Sequence, residues 1–148
     1  MRATISTLMR SDVDRMWTEL LKPGSLTRVS APILYFTPQD GQPLPTTWEV
    51  GGTYALKLSA FRVLPLGRHV IEVKVLDAEA REIYTNEHGS LARIWNHRIR
   101  LGAHTESTVE YTDEIEIHAG TLTPLIWLFA QLFYRHRQHR WKGLLAGR

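Results

Sequence analysis

The side chains best suited to chemistry in this 148-residue chain gather between positions 85 and 113. Thr85, Glu87, Arg93, Trp95, His97, Tyr111 and Asp113 are all odd-numbered, and in extended chain residues two apart share one face of a sheet. If that face is buried, each polar group on it needs a partner, because an unpaired one costs roughly 2–7 kcal/mol depending on the reference state. Closing each hairpin at its turn sets residue 75 against 83, 87 against 93, and 97 against 111 or 113. In this register Glu87 and Arg93 form a cross-strand ion pair near a hairpin end, and Asp113 lies opposite Trp95 or His97. An Asp113 carboxylate that holds one imidazole nitrogen of His97 leaves the other nitrogen as a donor or base. Three uses stay open for such a couple. It satisfies itself and holds the sheet, it anchors the polar end of a bound molecule, or it acts as an acid–base pair on a carbonyl compound, with Arg93 or Tyr111 stabilising the developing charge.

Other chemistries find little support. The chain has no cysteine, which excludes disulfides, thiolate metal sites and thiol nucleophiles. Glycine-rich phosphate loops, serine elbows and paired acidic metal motifs are absent. His136-x-x-His139 has a helical metal-ligand spacing, but Arg135, Arg137 and Arg140 around it repel a cation. No metal and no cofactor is therefore expected. His69, His88, His104 and His118 fall near strand ends or turns and receive no role.

The elements that must position these residues follow from pattern. Ala3–Met9 reads as a first strand. Ser11 is the expected N-cap of a helix carrying Val13, Met16, Trp17, Leu20 and Leu21 on one face, stopped by Pro23-Gly24. A turn or small helix over Ser25–Val29 precedes a strand at Ile33–Thr37, and Gln39–Thr47, with Gly41, Pro43 and Pro45, reads as an exposed loop. A strand over Thr53–Ala60 leads into an antiparallel meander of four segments: His69–Asp77, Arg81–His88, Leu91–Leu101 and Ser107–His118. In the last of these Thr108, Glu110, Thr112, Glu114 and Glu116 alternate with Val109, Tyr111, Ile115 and Ile117, so the odd face is inside. Thr123 as N-cap and Pro124 at the first helical position then open the longest helix, which runs to about Leu145.

That last helix has two apolar stripes. Leu125, Phe129, Leu132 and Phe133 form the side expected to close over the sheet, with Phe129 and Phe133 as ligand contacts. Nearly opposite, Trp127, Tyr134 and Trp141 recur every seven residues with Ala130 between them. Three partners compete for this second stripe: the 39–47 loop or first helix, a second copy in a homodimer, or a membrane surface whose phosphates meet the neighbouring arginines.

Charge sharpens this view. The net charge of +3 hides an asymmetry: residues 1–118 hold thirteen basic and fifteen acidic side chains, while residues 119–148 hold five basic and no acidic ones. The excess is too small to argue for nucleic acid. The apolar-rich stretch Leu122–Tyr134 is interrupted and falls short of the ~20 residues a membrane-spanning helix needs. The first residues lack a secretory pattern, so a cytoplasmic location is expected.

The size fits one domain over residues 1–148. Its order, β-α-α-β-β-β-β-β-β-α, describes an α+β fold in which a curved antiparallel sheet of about seven strands wraps a long C-terminal helix. With this order, Thr85-x-Glu87-x-Gly89, Trp95-x-His97, Thr112-Asp113 and Phe133-Tyr134-Arg135-His136-Arg137-x-x-Arg140-Trp141 make the chain resemble the START-like, or SRPBCC, helix-grip superfamily, in a bacterial, polyketide cyclase-like branch. That resemblance implies a cavity between sheet and helix for a hydrophobic or amphipathic small molecule. Superfamily members divide among binders, carriers and enzymes, so the resemblance also keeps a cyclase-, dehydratase- or isomerase-like activity through His97 and Asp113 in view.

Overall fold

A computed structural model describes residues 1–146. The elements are β1 (Arg2–Arg10), α1 (Val13–Leu20), α2 (Pro23–Ser30), β2 (Leu34–Pro38), β3 (Thr53–Ala60), β4 (Leu64–Asp77), β5 (Glu82–Gly89), β6 (Ile94–Ala103), β7 (Thr108–His118) and α3 (Thr123–Ala146), the last preceded by a 3-10 turn at Gly120–Leu122. All seven strands form one curved antiparallel sheet in the order β1-β7-β6-β5-β4-β3-β2. The helix-grip expectation is therefore met, with α3 lying on the concave side.

Local signals account for most of these elements. Asp12, rather than Ser11, caps α1: its carboxylate accepts the Arg15 backbone N–H at 2.7 Å, a stronger charge-assisted bond at the positive helix end than a hydroxyl offers. Pro23 does not merely stop α1 but begins α2, because proline's missing N–H costs nothing in a first turn. Strand parity holds along β7, where Val109, Tyr111, Asp113, Ile115 and Ile117 are all fully buried. It holds as well for Trp95, His97, Ile99 and Leu101 on β6.

Register departs from expectation in three places. A bulge at Lys74, between Val73 and Val75, shifts β4 by one residue, so Val75 pairs with Tyr84 and Leu76 with Ile83; the shift turns Val75 outward, as an extra residue in one strand does to those beyond it. On the β6–β7 hairpin His97 faces Ile115, while Asp113 faces Ile99 rather than Trp95 or His97, because β6 stays paired as far as Ala103 and the turn is centred further along the chain than a strand ending at Leu101 would place it. The β5–β6 ladder runs from Glu82↔Arg100 to Thr85↔His97. Beyond it the turn opens, Arg93 lies outside β6 and is exposed, and the expected Glu87–Arg93 ion pair does not form.

The two stripes of α3 exchange roles. Ile126, Ala130, Phe133, Tyr134, Arg137, Gln138, Trp141 and Leu145 are buried, whereas Leu122, Leu125, Leu128 and Leu132 are between 52% and 63% exposed. Phe129 is half-buried and stacks on Phe133 with centroids 5.7 Å apart. Tyr134 and Trp141 thus pack inward, and the half-buried Trp127 donates its indole N–H to the Arg2 carbonyl at 2.7 Å. Tyr134 and Trp141 therefore lie inside the protein and do not form the outward stripe that a dimer or membrane contact would use. A physical reason lies on the sheet: the buried Asp113 carboxylate and Trp95 indole N–H need hydrogen-bonding partners, and Gln138 and Tyr134 on this side of the helix supply them. No helix among the described residues is long and apolar enough to cross a membrane.

Candidate ligand-binding site

Between α3 and the sheet lies a cavity walled by β4, β5 and β6, with Leu20, Leu26 and Trp48 contributing from α1, α2 and the loop before β3. The centre of a water molecule can occupy about 70 Å³ of it. One buried water needs about 10–15 Å³ on that measure, so the space suits several waters or the body of a small molecule.

Five of the anticipated residues line it: Thr85, Glu87, Trp95, His97 and Phe133. Four do not. Arg93 is on the surface, Phe129 stands behind Phe133, and Tyr111 and Asp113 are wholly buried behind the cavity wall. The sequence reading passed over His69, Tyr134, Arg137 and Trp141 as site residues, and all four line the cavity. His69 shares the odd parity of Ile71 and Val73, a signal that would have placed it inside. Arg137 falls three residues after Tyr134 and four before Trp141, which puts it on the face of the aromatic stripe rather than in a solvated cationic end.

Two imidazole–carboxylate couples stiffen the wall. His97 Nε2 lies 2.6 Å from Asp113 Oδ1; a carboxylate only accepts, so Nε2 is the donor and Nδ1 is the nitrogen left over. The contact is diagonal across β6 and β7, since Asp113 faces Ile99 in the ladder. Tyr111 also donates to Asp113 Oδ1 at 3.1 Å, and Gln138 donates to Oδ2 at 3.1 Å and to the Ile5 carbonyl at 2.8 Å. Asp113 therefore ties β7, β6, α3 and β1 together. Burial, reinforced by the Asp113 charge, pushes the Tyr111 phenol well above its ordinary value, so it stays a donor.

The second couple is His69 with Glu87, at 2.7 Å from Nε2 to Oε1. Thr85 donates to the other oxygen of Glu87 at 2.5 Å. Burial pushes the Glu87 carboxyl up, but the hydrogen bond and charge of His69, with help from His97 and Thr85, outweigh it and hold the group below its usual range. Gly89 makes this couple possible. It faces His69 across the ladder, and a Cβ there would lie 2.0 Å from the Arg68 carbonyl oxygen, so only glycine lets β4 approach closely enough.

The helix side of the cavity is aromatic and cationic. Trp95 donates its indole N–H to the Tyr134 hydroxyl at 2.8 Å, and the Tyr134 ring lies 4.8 Å from that of His97. Burial raises the Tyr134 phenol too. The Arg137 guanidinium sits 5.0 Å from the Tyr134 ring centroid and 5.8 Å from that of Phe133. Burial works against its charge, but Tyr134, Tyr111, Asp113 and Glu87 more than offset this, so it remains a cation. No group of three or more His, Asp or Glu side chains among the described residues is placed to hold a metal.

The same backbone arrangement occurs in solved structures. Protein CV1439 from Chromobacterium violaceum superposes with a TM-score of 0.76 at 14% identity, covering 97% of this chain and 95% of that one. A START superfamily protein from Mycobacterium smegmatis gives 0.66 at 12% identity, covering 99% and 97%. Norcoclaurine synthase from Thalictrum flavum, solved with dopamine and hydroxybenzaldehyde, gives 0.65 at 13%, covering 99% and 87%. A long helix gripped by a seven-stranded sheet, shared at these coverages, shows that the chain has the helix-grip fold found in START-like proteins. More narrowly, residues 7–144 match the family described as Domain of unknown function (DUF8410), and the chain belongs to that family. No protein of curated function matches the sequence.

Proposed function

We propose that this protein binds a small amphipathic molecule in the cavity between α3 and the sheet, with its apolar body among Ile71, Leu58, Phe133 and Trp95 and its polar end toward Glu87, His97 and Arg137. The observation that carries this reading is an interior space lined by apolar side chains on which a few fixed polar groups converge, the usual make-up of a small-molecule site. A merely structural core would close such a space, since protein interiors pack to near-crystalline density. Native mass spectrometry of gently purified protein, compared with its denatured extract, is expected to reveal a bound small molecule. An empty native protein that also takes up nothing from broad lipid and aromatic libraries would overturn the proposal.

A second reading rests on His97. It lines the cavity and is held through Nε2 by Asp113, which orients a ring whose other nitrogen is free to exchange a proton with a carbonyl substrate. The likeness in fold to a synthase solved with hydroxybenzaldehyde supports looking for such substrates. Under this reading His97→Ala and Asp113→Asn each abolish turnover while circular dichroism stays native. Turnover that survives both changes refutes it.

A further inference from the structure

Among the described residues, α3 carries two buried hydrogen-bond donors that nothing satisfies. Arg137 is 4% exposed, its Nε has no partner, and no carboxylate lies within ion-pair distance of its guanidinium. Trp141, one helical turn further on, is 1% exposed with its indole Nε1 equally unpartnered. Both side chains line the cavity. Residues four apart on a helix share a face, so these donors belong to one wall.

An unpaired buried polar group is rare in native proteins, and an uncompensated buried charge is rarer. The rings of Tyr134 and Phe133 meet the guanidinium through cation–π contacts, which use its charge but leave its in-plane N–H groups without acceptors. The nearby carboxylates are already engaged: Asp113 accepts from His97, Tyr111 and Gln138, and Glu87 is held by His69 and Thr85. The wall therefore offers donors and one fixed positive charge that Asp113 and Glu87 favour from a distance but that no carboxylate contacts directly. A planar guanidinium matches a carboxylate in a two-bond fork.

From these unsatisfied donors we infer that the ligand carries a carboxylate, bound by Arg137 with the Trp141 indole as a further donor, and an apolar body that fills the rest of the cavity. This rests on the binding function proposed above and names the chemical class of its ligand. Arg137 thereby becomes the residue that selects acids over uncharged molecules of the same shape.

Octanoate and octanol, alike in chain length and unlike in charge at pH 7, are the probes. Titration followed by intrinsic tryptophan fluorescence is expected to show octanoate binding at least tenfold more tightly, and the Arg137 Nε–H resonance in the NMR spectrum of the unaltered protein should move with octanoate alone. Arg137→Met, which keeps length and removes the donors, should erase the preference while octanol still binds. Arg137→Lys should retain part of it. If Arg137→Met fails to fold, the Nε–H resonance and the lysine variant decide the matter. Equal binding of the two probes, or a preference that persists in a folded Arg137→Met protein, overturns the carboxylate assignment and leaves the cavity as a binding site for neutral molecules. Failure of both probes and of the wider libraries removes the binding function itself and the inference with it.

Discussion

Replacing Asp113 with asparagine keeps the shape of the side chain and removes its charge at a fully buried position that accepts three side-chain hydrogen bonds. In the native structure Oδ1 accepts from His97 at 2.6 Å and from Tyr111 at 3.1 Å, and Oδ2 accepts from Gln138 at 3.1 Å. The asparagine oxygen can keep the first two bonds, but as neutral bonds of lesser strength. Its amide nitrogen then faces the Gln138 amide donor, and Gln138 cannot rotate to meet it without giving up the Ile5 carbonyl it also holds at 2.8 Å. A hydrogen bond to a charged group contributes about 1.5–3 kcal/mol, and a buried donor left unsatisfied costs about 1–3 kcal/mol. Together these set an expected destabilisation of about 3 kcal/mol. For a chain of this size that lowers Tm by about 6–12 °C. Urea unfolding at pH 7 should show it as a lower midpoint with an unchanged slope. A double-mutant cycle adds the specific check: His97→Ala should cost at least about 1 kcal/mol less in the Asp113→Asn background than in the native one. A stability within about 0.5 kcal/mol of native, or full additivity in the cycle, would refute the view of Asp113 as the tie between sheet and helix.

Acidity probes the other couple. Because the folded-state value of Glu87 lies below its ordinary one, its contribution is complete above the ordinary carboxylate range, near about pH 4.3. It is lost as pH falls through the folded value, at no more than about 1.4 kcal/mol per pH unit for one proton. Glu87→Gln should therefore be less stable at neutral pH and close the gap to native between about pH 5 and 3; a gap that does not change with pH contradicts this. Tyr134→Phe leaves the buried Trp95 N–H without its acceptor and should cost about 1–3 kcal/mol, most of it absent when Trp95 is already phenylalanine; chemical denaturation of the two single variants and the double variant measures this. Gly89→Ala forces β4 away from β5 at His69 and should destabilise by about 1–3 kcal/mol as an overpacked site does, with a displaced His69 resonance in the imidazole NMR spectrum; native stability would show that the close approach is not required.

Much of the fold is legible in local pattern. The unbroken alternation of Thr108–His118 fixes which face of β7 is buried, and the breakers around it fix the neighbouring strands, because a strand that slips by one residue exposes its whole apolar set. The run after Gly120, opened by Thr123-Pro124, identifies the gripping helix. The candidate site is legible only in part. Parity alone brings Thr85, Glu87, Trp95 and His97 to the cavity, and it also marks Asp113 and Tyr111 as buried. It misplaces Arg93, because a turn that opens beyond the β5–β6 ladder ends the alternation before that residue. It misses the partner of Glu87, because His69 reaches it across β4 and β5, eighteen positions away in sequence.

The sequence by itself determined the order of elements, the inward face of the sheet, the concentration of positive charge on the last helix and the presence of two stripes along it. Each of these is a periodic or compositional property that neighbouring residues settle among themselves. Only the tertiary structure decided which stripe turns inward, and therefore that Tyr134, Arg137 and Trp141 line a cavity while Leu125, Leu128 and Leu132 face out. Both sides of the helix carry large apolar residues, so apolar content alone does not choose between them. On the inward side Gln138 gives its amide to both Asp113 and the Ile5 carbonyl, far apart in sequence, and a buried carboxylate oxygen or carbonyl left without a donor is costly.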